Sequence, residues 1–456
     1  MISLASILSK LPSLRNSAFL RNVAHTLQGN VIGQVLVVAS LPFLARFFPP
    51  EAFALAQACT AVVAIGVIVS CFRYEVALTI CDDNEVKPLL TVVAIGGIVT
   101  PLIMAGGIIL APAGLFQALQ LGALKPIAGW FALSILFASA GNALSYLAIR
   151  AHAFRQMAIA KVFQSIGFVS SGLLIGFFWP ISTGVLIADT IGRVVLVLVI
   201  ALFLVRLISP DIVRANWRDV IGVIKRYRWF PLISLPGSLV SVLAASFNTV
   251  WMLALFSPHE AGSYALVERL VLAPAGLIGA ALQQVYQGQF SLALRNGGHG
   301  LKSGFKRLLG GLFLLGIFPS IALAFLAPTL FPLALGSEWS EAGRYCQIFV
   351  PIAFISLLSV PFNMVLTLMQ RHKLQLAWEV GRFLLVTAAW LTTTLVKLSA
   401  TSALGLVSAA TCLAYVAYLM LAYKEVSRLE ARGGSDALPT CGTDNASILN
   451  VSDEAN

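Results

Sequence analysis

Long apolar stretches alternate along the chain with short polar breaks. Twelve of them fall at about 22–45, 52–78, 88–111, 126–149, 154–178, 182–205, 230–255, 260–289, 308–333, 343–369, 374–396 and 401–423. A helix needs about 20 mostly apolar residues to cross the hydrocarbon of a bilayer, so each stretch predicts a transmembrane helix. Several are longer, as tilted helices or helices projecting past the bilayer are. Pro42, Pro101, Pro236, Pro274 and Pro361 fall inside predicted spans, where neighbouring helices tolerate a break and where helices often bend or move. The first span is the least apolar, with His25, Gln28, Asn30 and Gln34 in it.

Composition makes a soluble reading untenable. The 456 residues are 59% hydrophobic and 11% charged, with a mean hydropathy of +0.90. An ordinary globular chain is about a quarter charged, and a chain of this size does not enclose enough interior to hide so much apolar surface. The expected class is an all-α polytopic membrane protein of about twelve transmembrane helices.

Charge then fixes the orientation. The net charge is +11, but the cations sit in short loops with no basic domain, so no nucleic-acid partner is expected. With the N-terminus inside, 22 of the 30 Lys and Arg residues fall on the cytoplasmic side and four (Arg46, Lys125, Arg344, Lys397) on the other. That asymmetry predicts both termini in the cytoplasm. Residues 1–21 lack a compact apolar core followed by a small-residue cleavage site, so no removable signal peptide is read. The outer loops are too short for an external catalytic domain. The tail, 424–456, is polar and reads as disordered.

The longest inner segment, 206–229, is basic and carries a stretch from Asn216 that suits an amphipathic surface helix. It divides the spans into two sets of six, 22–205 and 230–423. Two short echoes support two parallel six-helix lobes. Phe48-Pro-Pro-Glu-Ala-Phe-Ala-Leu matches Phe256-Ser-Pro-His-Glu-Ala-Gly-Ser-Tyr-Ala-Leu, and Leu147-Ala-Ile-Arg-Ala-His matches Thr367-Leu-Met-Gln-Arg-His.

Ionisable residues inside the spans are the candidate chemistry, because each costs at least about 2.5–3.5 kcal/mol near the bilayer centre. Asp189 and Arg193 are four apart in span six and share a helix face. Glu379 and Arg382 are three apart in span eleven. Glu268 and Arg269 are adjacent in span eight and should point apart. Lys161 stands alone in span five, and Arg73 with Glu75 closes span two. Such groups either lock helices together as buried ion pairs or line a wet, net-cationic cavity. The cavity reading suits an anionic headgroup carrying sugar hydroxyls, with Arg on phosphate. Asn30, Gln34 and Asn248, each offering a donor and an acceptor, could line the same space. No Walker loop, paired-histidine spacing or cysteine metal spacing occurs, so no enzyme, cofactor or metal site is expected.

Four stretches resemble a known family. Phe43-Leu-Ala-Arg-Phe-Phe-Pro-Pro-Glu-Ala-Phe-Ala-Leu, Phe72-Arg-Tyr-Glu-Val-Ala-Leu-Thr-Ile-Cys-Asp-Asp, Glu260-Ala-Gly-Ser-Tyr-Ala-Leu-Val-Glu-Arg-Leu-Val-Leu-Ala-Pro and Leu335-Gly-Ser-Glu-Trp-Ser-Glu-Ala-Gly occur in that order. They resemble the bacterial polysaccharide-biosynthesis flippases, the Wzx-type O-antigen and exopolysaccharide exporters. These belong to the multidrug, oligosaccharidyl-lipid and polysaccharide (MOP) exporter superfamily. Phe53-Ala54 departs from the Tyr-Gly common in that family. The resemblance implies a V-shaped bundle of twelve helices in the bacterial inner membrane. It further implies alternating-access transport of an undecaprenyl-diphosphate-linked oligosaccharide, with a polysaccharide polymerase and export machinery as possible partners.

Other readings stay open. An ion-coupled drug or metabolite antiporter of the same superfamily would use Asp189 or Glu268 for protons. A lipid II flippase would usually add two helices. A polymerase or ligase would need a large outer loop, and a scaffold would transport nothing.

Overall fold

The structure is a computed structural model that describes residues 18–110, 127–151, 153–204, 216–295, 299–369 and 371–431. Every regular element among them is helical. The membrane-length elements are α1 (Ala18–Phe47), α2 (Pro50–Cys71), α3 (Val86–Leu110), α4 (Ala128–Arg150), α5 (Phe154–Phe178), α6 (Gly184–Leu204) and α7 (Leu235–Leu255). Next, α8 runs as Pro258–Val267 and Ala273–Arg295 around a π turn. The series ends with α9 (Leu301–Leu335), α10 (Ser340–Ser359), α11 (His372–Val396) and α12 (Ala400–Ala431). Among the described residues ten helices are long and apolar enough to cross a membrane, and shorter apolar helices, Val31–Phe47 and Ser246–Leu255, lie within the predicted spans one and seven. The chain is an all-α, multi-pass membrane protein.

Several predicted boundaries move, each for a local reason. Span two was expected to run to 78, but α2 stops at Cys71. There Phe72 and Arg73 take left-handed backbone conformations (φ 47° and 63°), and a single turn, Tyr74–Ala77, follows. Two such residues in succession end an α-helix. Span ten breaks into 3₁₀ geometry at Val360–Phe362 around Pro361. At the other end of the chain α12 continues to Ala431, past the expected disorder from 424. Val426 is fully buried there, and Glu425 accepts from Arg428 at 2.8 Å and lies 3.4 Å from Arg371. The rest of the tail, 432–456, lies outside the described residues.

Two π turns, Phe230–Ser234 and Glu268–Leu272, precede Pro236 and Pro274. A proline ring clashes with the carbonyl four residues back and removes one hydrogen bond. Widening the preceding turn relieves both, and such bulges recur at functional sites.

Two similar turns lie next to the stretches of the second sequence echo. Ala153 N–H donates to Ala148 O at 2.8 Å, and Arg371 N–H donates to Leu366 O at 2.8 Å. Ala153 (φ −86°, ψ 48°) and Arg371 (φ −87°, ψ 47°) cap the helices that follow. The turns correspond two positions away from the match that pairs His152 with His372, because backbone geometry and not the side chain defines the turn.

The chain forms two compact units, one of residues 1–270 with 329–343, the other of 271–328 with 344–456. In the first, the Trp339 indole N–H donates to Ala45 O at 2.8 Å, and its ring meets Phe53 edge-on at 5.2 Å. Arg46 reaches the carbonyls of Ala334 and Leu333 at 3.0 and 3.2 Å. In the second, Phe305 stacks on Phe362 at 4.0 Å, and the Tyr418 hydroxyl donates to Phe362 O at 2.9 Å.

Candidate functional site

The first unit gathers membrane charges from three elements. In α6, Asp189 and Arg193 form the predicted pair, with Arg193 Nε and Nη2 at 2.8 and 2.7 Å from Asp189 Oδ2. Both ends are partly accessible, at 26% and 17%. From α5, Lys161 faces the field of Arg193 and its Nζ donates to Gln164 Oε1 at 3.4 Å. Close packing sets this spacing. A Cβ on Gly192 of α6 would lie 2.9 Å from the Gln164 carbonyl oxygen of α5, so only glycine brings the two backbones together.

The π turn of α8 adds Glu268 and Arg269. Glu268 accepts from Gln57 Nε2 of α2 at 3.1 Å and is hydrogen-bonded to Thr249 of α7, which also bonds Tyr264. Arg269 sits in the combined field of Asp189, Glu268 and Arg193. Sequence reasoning expected the two neighbours to diverge, and both nevertheless join one cluster. Three cations, Lys161, Arg193 and Arg269, and two carboxylates, Asp189 and Glu268, thus make up the group, with Lys161 beside Arg193. Each of the five residues is half-buried among the helices.

Gln57 and Thr249 were missed from the sequence, where a single amide or hydroxyl in an apolar run carries little signal. Gln34 and Asn248 are also partly accessible, on α1 and α7. The side chain of Asn30 lies outside the described residues.

Arg73 goes elsewhere. Its Nη1 lies 3.3 Å from Glu75 Oε1, which also accepts from Asn142 Nδ2 at 3.5 Å. Glu75 is fully buried, and its Oε2 has no partner among the described residues. Arg73 Nε reaches Ser234 Oγ, in the π turn before α7, at 3.5 Å.

Glu379 and Arg382 lie in the second unit and do not form the predicted pair. Glu379 accepts from Gln375 Nε2 at 2.9 Å, while the Arg382 guanidinium lies over the Trp378 and Tyr415 rings at 5.2 and 5.9 Å. The aromatic faces replace the carboxylate as its partner.

Outside the membrane-spanning helices, a second polar network lies in the first unit. Glu85 accepts from Arg226 Nη1 and from the Tyr227 hydroxyl, both at 2.7 Å. Burial raises the Glu85 carboxyl, but the Tyr227 bond and the Arg226 charge outweigh it and hold it below the usual carboxylate range. Burial, then the same bond, pushes the Tyr227 hydroxyl up to about 12.

The family model described as "Polysaccharide biosynthesis protein" matches residues 43–344, a range that contains all four resembling stretches. The chain belongs to the polysaccharide biosynthesis protein family. No curated protein matches this family member by sequence. Its fold is that of MOP transporters. It is similar to the lipid II flippase MurJ in an inward closed conformation, with a TM-score of 0.66 and 14% identity over 90% of both chains. A MATE transporter in complex with MaL6 gives 0.54 and 13%, over 90% of this chain and 97% of the other. A MOP superfamily transporter from Pyrococcus furiosus gives 0.54 and 12%, over 90% and 96%. At these identities the likeness speaks for the fold alone. A transporter-type fold and polysaccharide biosynthesis are therefore the properties of this family member on which a function can be built.

Proposed function

We propose that this protein moves an undecaprenyl-diphosphate-linked oligosaccharide from the cytoplasmic to the periplasmic leaflet of the bacterial inner membrane. It acts by alternating access, with both termini cytoplasmic, in the export of a surface polysaccharide such as O-antigen or exopolysaccharide. The observation that carries this reading is the cluster of Lys161, Arg193 and Arg269 within the spans, half-buried and only partly neutralised. Cations held in a low-dielectric setting lower the barrier for a diphosphate that must leave water. Arg offers it paired donors. Amides such as Gln34 and Asn248 suit the sugar hydroxyls, and the prenyl tail stays in lipid throughout. The family and the likeness to a protein named a lipid II flippase support a lipid-linked substrate. The two parallel six-helix lobes, 22–205 and 230–423, belong to the same proposal.

The test is a deletion strain of the source bacterium. Lipid-linked oligosaccharide is expected to accumulate on the cytoplasmic face and surface glycan to disappear, both reversed by the wild-type gene. Unchanged surface glycan would overturn the reading, and loss of drug efflux instead would favour the antiporter.

A further inference from the structure

The connector helix Trp217–Arg226, capped by the Asn216 side chain, has two apolar faces that meet different surroundings. Val220 and Val223 are 3% and 4% exposed, and Val223 packs in the cluster of Cys71, Leu78 and Leu89. On the adjacent stripe Trp217, Ile221 and Ile224, spaced four and three apart, are 66%, 51% and 39% exposed. At about 100° per residue, Arg218 and Lys225 fall together on the far flank of that stripe. Just beyond the helix, the Arg228 guanidinium lies over the exposed Trp229 ring at 5.4 Å.

The rotation of the helix is fixed. Arg226 and Tyr227 are bound to Glu85 at 2.7 Å each, and the Tyr74 hydroxyl donates to Ile224 O at 3.3 Å. The exposed stripe therefore stays turned outward. Arg226 is neutralised by Glu85 and Asp82, whereas Arg218, Lys225 and Arg228 form no ion pair among the described residues. In sequence the helix lies between α6 and α7.

We propose that this helix is an interfacial anchor for anionic phospholipid. Trp217, Ile221, Ile224 and Trp229 enter the upper acyl-chain layer, and Arg218, Lys225 and Arg228 bind the headgroup phosphates. The stripe supplies the apolar face and the flank the charge that a surface helix needs. Tryptophan favours this depth, and anionic lipid attracts unpaired cations at the cytoplasmic surface. The inference holds whatever the protein transports.

The test uses the full chain, freed of its native cysteines and reconstituted in bilayers of phosphatidylcholine with or without phosphatidylglycerol. A nitroxide on Ile221→Cys should be accessible to oxygen and protected from a water-soluble nickel complex. One on Gly222→Cys, where a Cβ meets open space, should be exposed to the nickel complex. Spin-labelled phosphatidylglycerol should be preferred over phosphatidylcholine. Each of Arg218→Gln, Lys225→Gln and Arg228→Gln should cut that preference by up to about fivefold. An Ile221 label exposed to water in both bilayers would overturn the proposal, as it would if only an added protein shielded it. Unchanged lipid preference in the triple Gln variant would do so too.

Discussion

Gln57 and Glu268, 211 positions apart, meet through a 3.1 Å hydrogen bond from the amide of α2 to the carboxylate in the π turn of α8. That bond, with the one from Thr249, gives Glu268 neutral partners beside Arg269, which sits in the shared field of Asp189, Glu268 and Arg193. The cluster is thus an arrangement of helices and not of sequence neighbours.

Arg269→Ala is expected to reduce glycan export by tenfold or more while membrane levels stay normal. Arg269→Lys should recover only part, because a point charge lacks the paired donors of guanidinium. Quantitative surface-glycan staining beside immunoblots of the membrane fraction measures both. Wild-type export by Arg269→Ala would remove this residue from the path.

Gln57→Leu should lower export less than Glu268→Gln does. The first deletes one donor and leaves a carboxylate still bonded to Thr249; the second removes a charge from the cluster. Equal effects in a glycan assay would mean that the bond, not the charge, matters.

Gly262→Ala should destabilise the fold, since a Cβ there would collide with the Pro50 carbonyl oxygen, and backbone cannot swing aside as a side chain can. Overpacking typically costs about 1–3 kcal/mol. Thermal unfolding in detergent, followed by size-exclusion chromatography, should show a lower midpoint than wild type, and Gly262→Val a lower one still. An unshifted midpoint would contradict the packing of α8 on the start of α2.

Trp339→Ala should cost about 3–5 kcal/mol, as deletion of a buried tryptophan does. Trp339→Phe keeps much of the ring but abandons the Ala45 carbonyl, which costs about 1–3 kcal/mol. The order wild type, Phe, Ala in denaturation midpoint checks this, and a Phe variant as stable as wild type would show that the bond contributes nothing.

The Glu85 network predicts a dependence on pH. Because the folded carboxyl titrates below its unfolded value, it contributes stability above the unfolded value, and that contribution is lost as pH falls through the folded one. Melting midpoints of wild type should therefore decline on acidification, and Glu85→Gln should flatten that part of the curve. Tyr227→Phe should move the decline to higher pH by removing the main bond that lowers the carboxyl. An identical profile in all three proteins would rule the network out as the cause.

Much of this protein is determined by its sequence alone. Apolar length and the confinement of most cations to the loops follow from the cost of placing peptide groups and charges in hydrocarbon, which each stretch meets by itself. Twelve helical spans, the Asp189–Arg193 pair at helical spacing and the family motifs are local in that sense. Only the tertiary structure decided the rest. It brought Gln57 and Thr249 to Glu268, gave Arg382 to two aromatic rings in place of Glu379, and stopped α2 at Cys71 with Arg73 turned toward Glu75. These outcomes depend on which helices pack side by side and on close approaches such as Gly192 against Gln164. A buried polar group takes whatever partner the neighbouring helix presents, and no spacing within one helix encodes that choice.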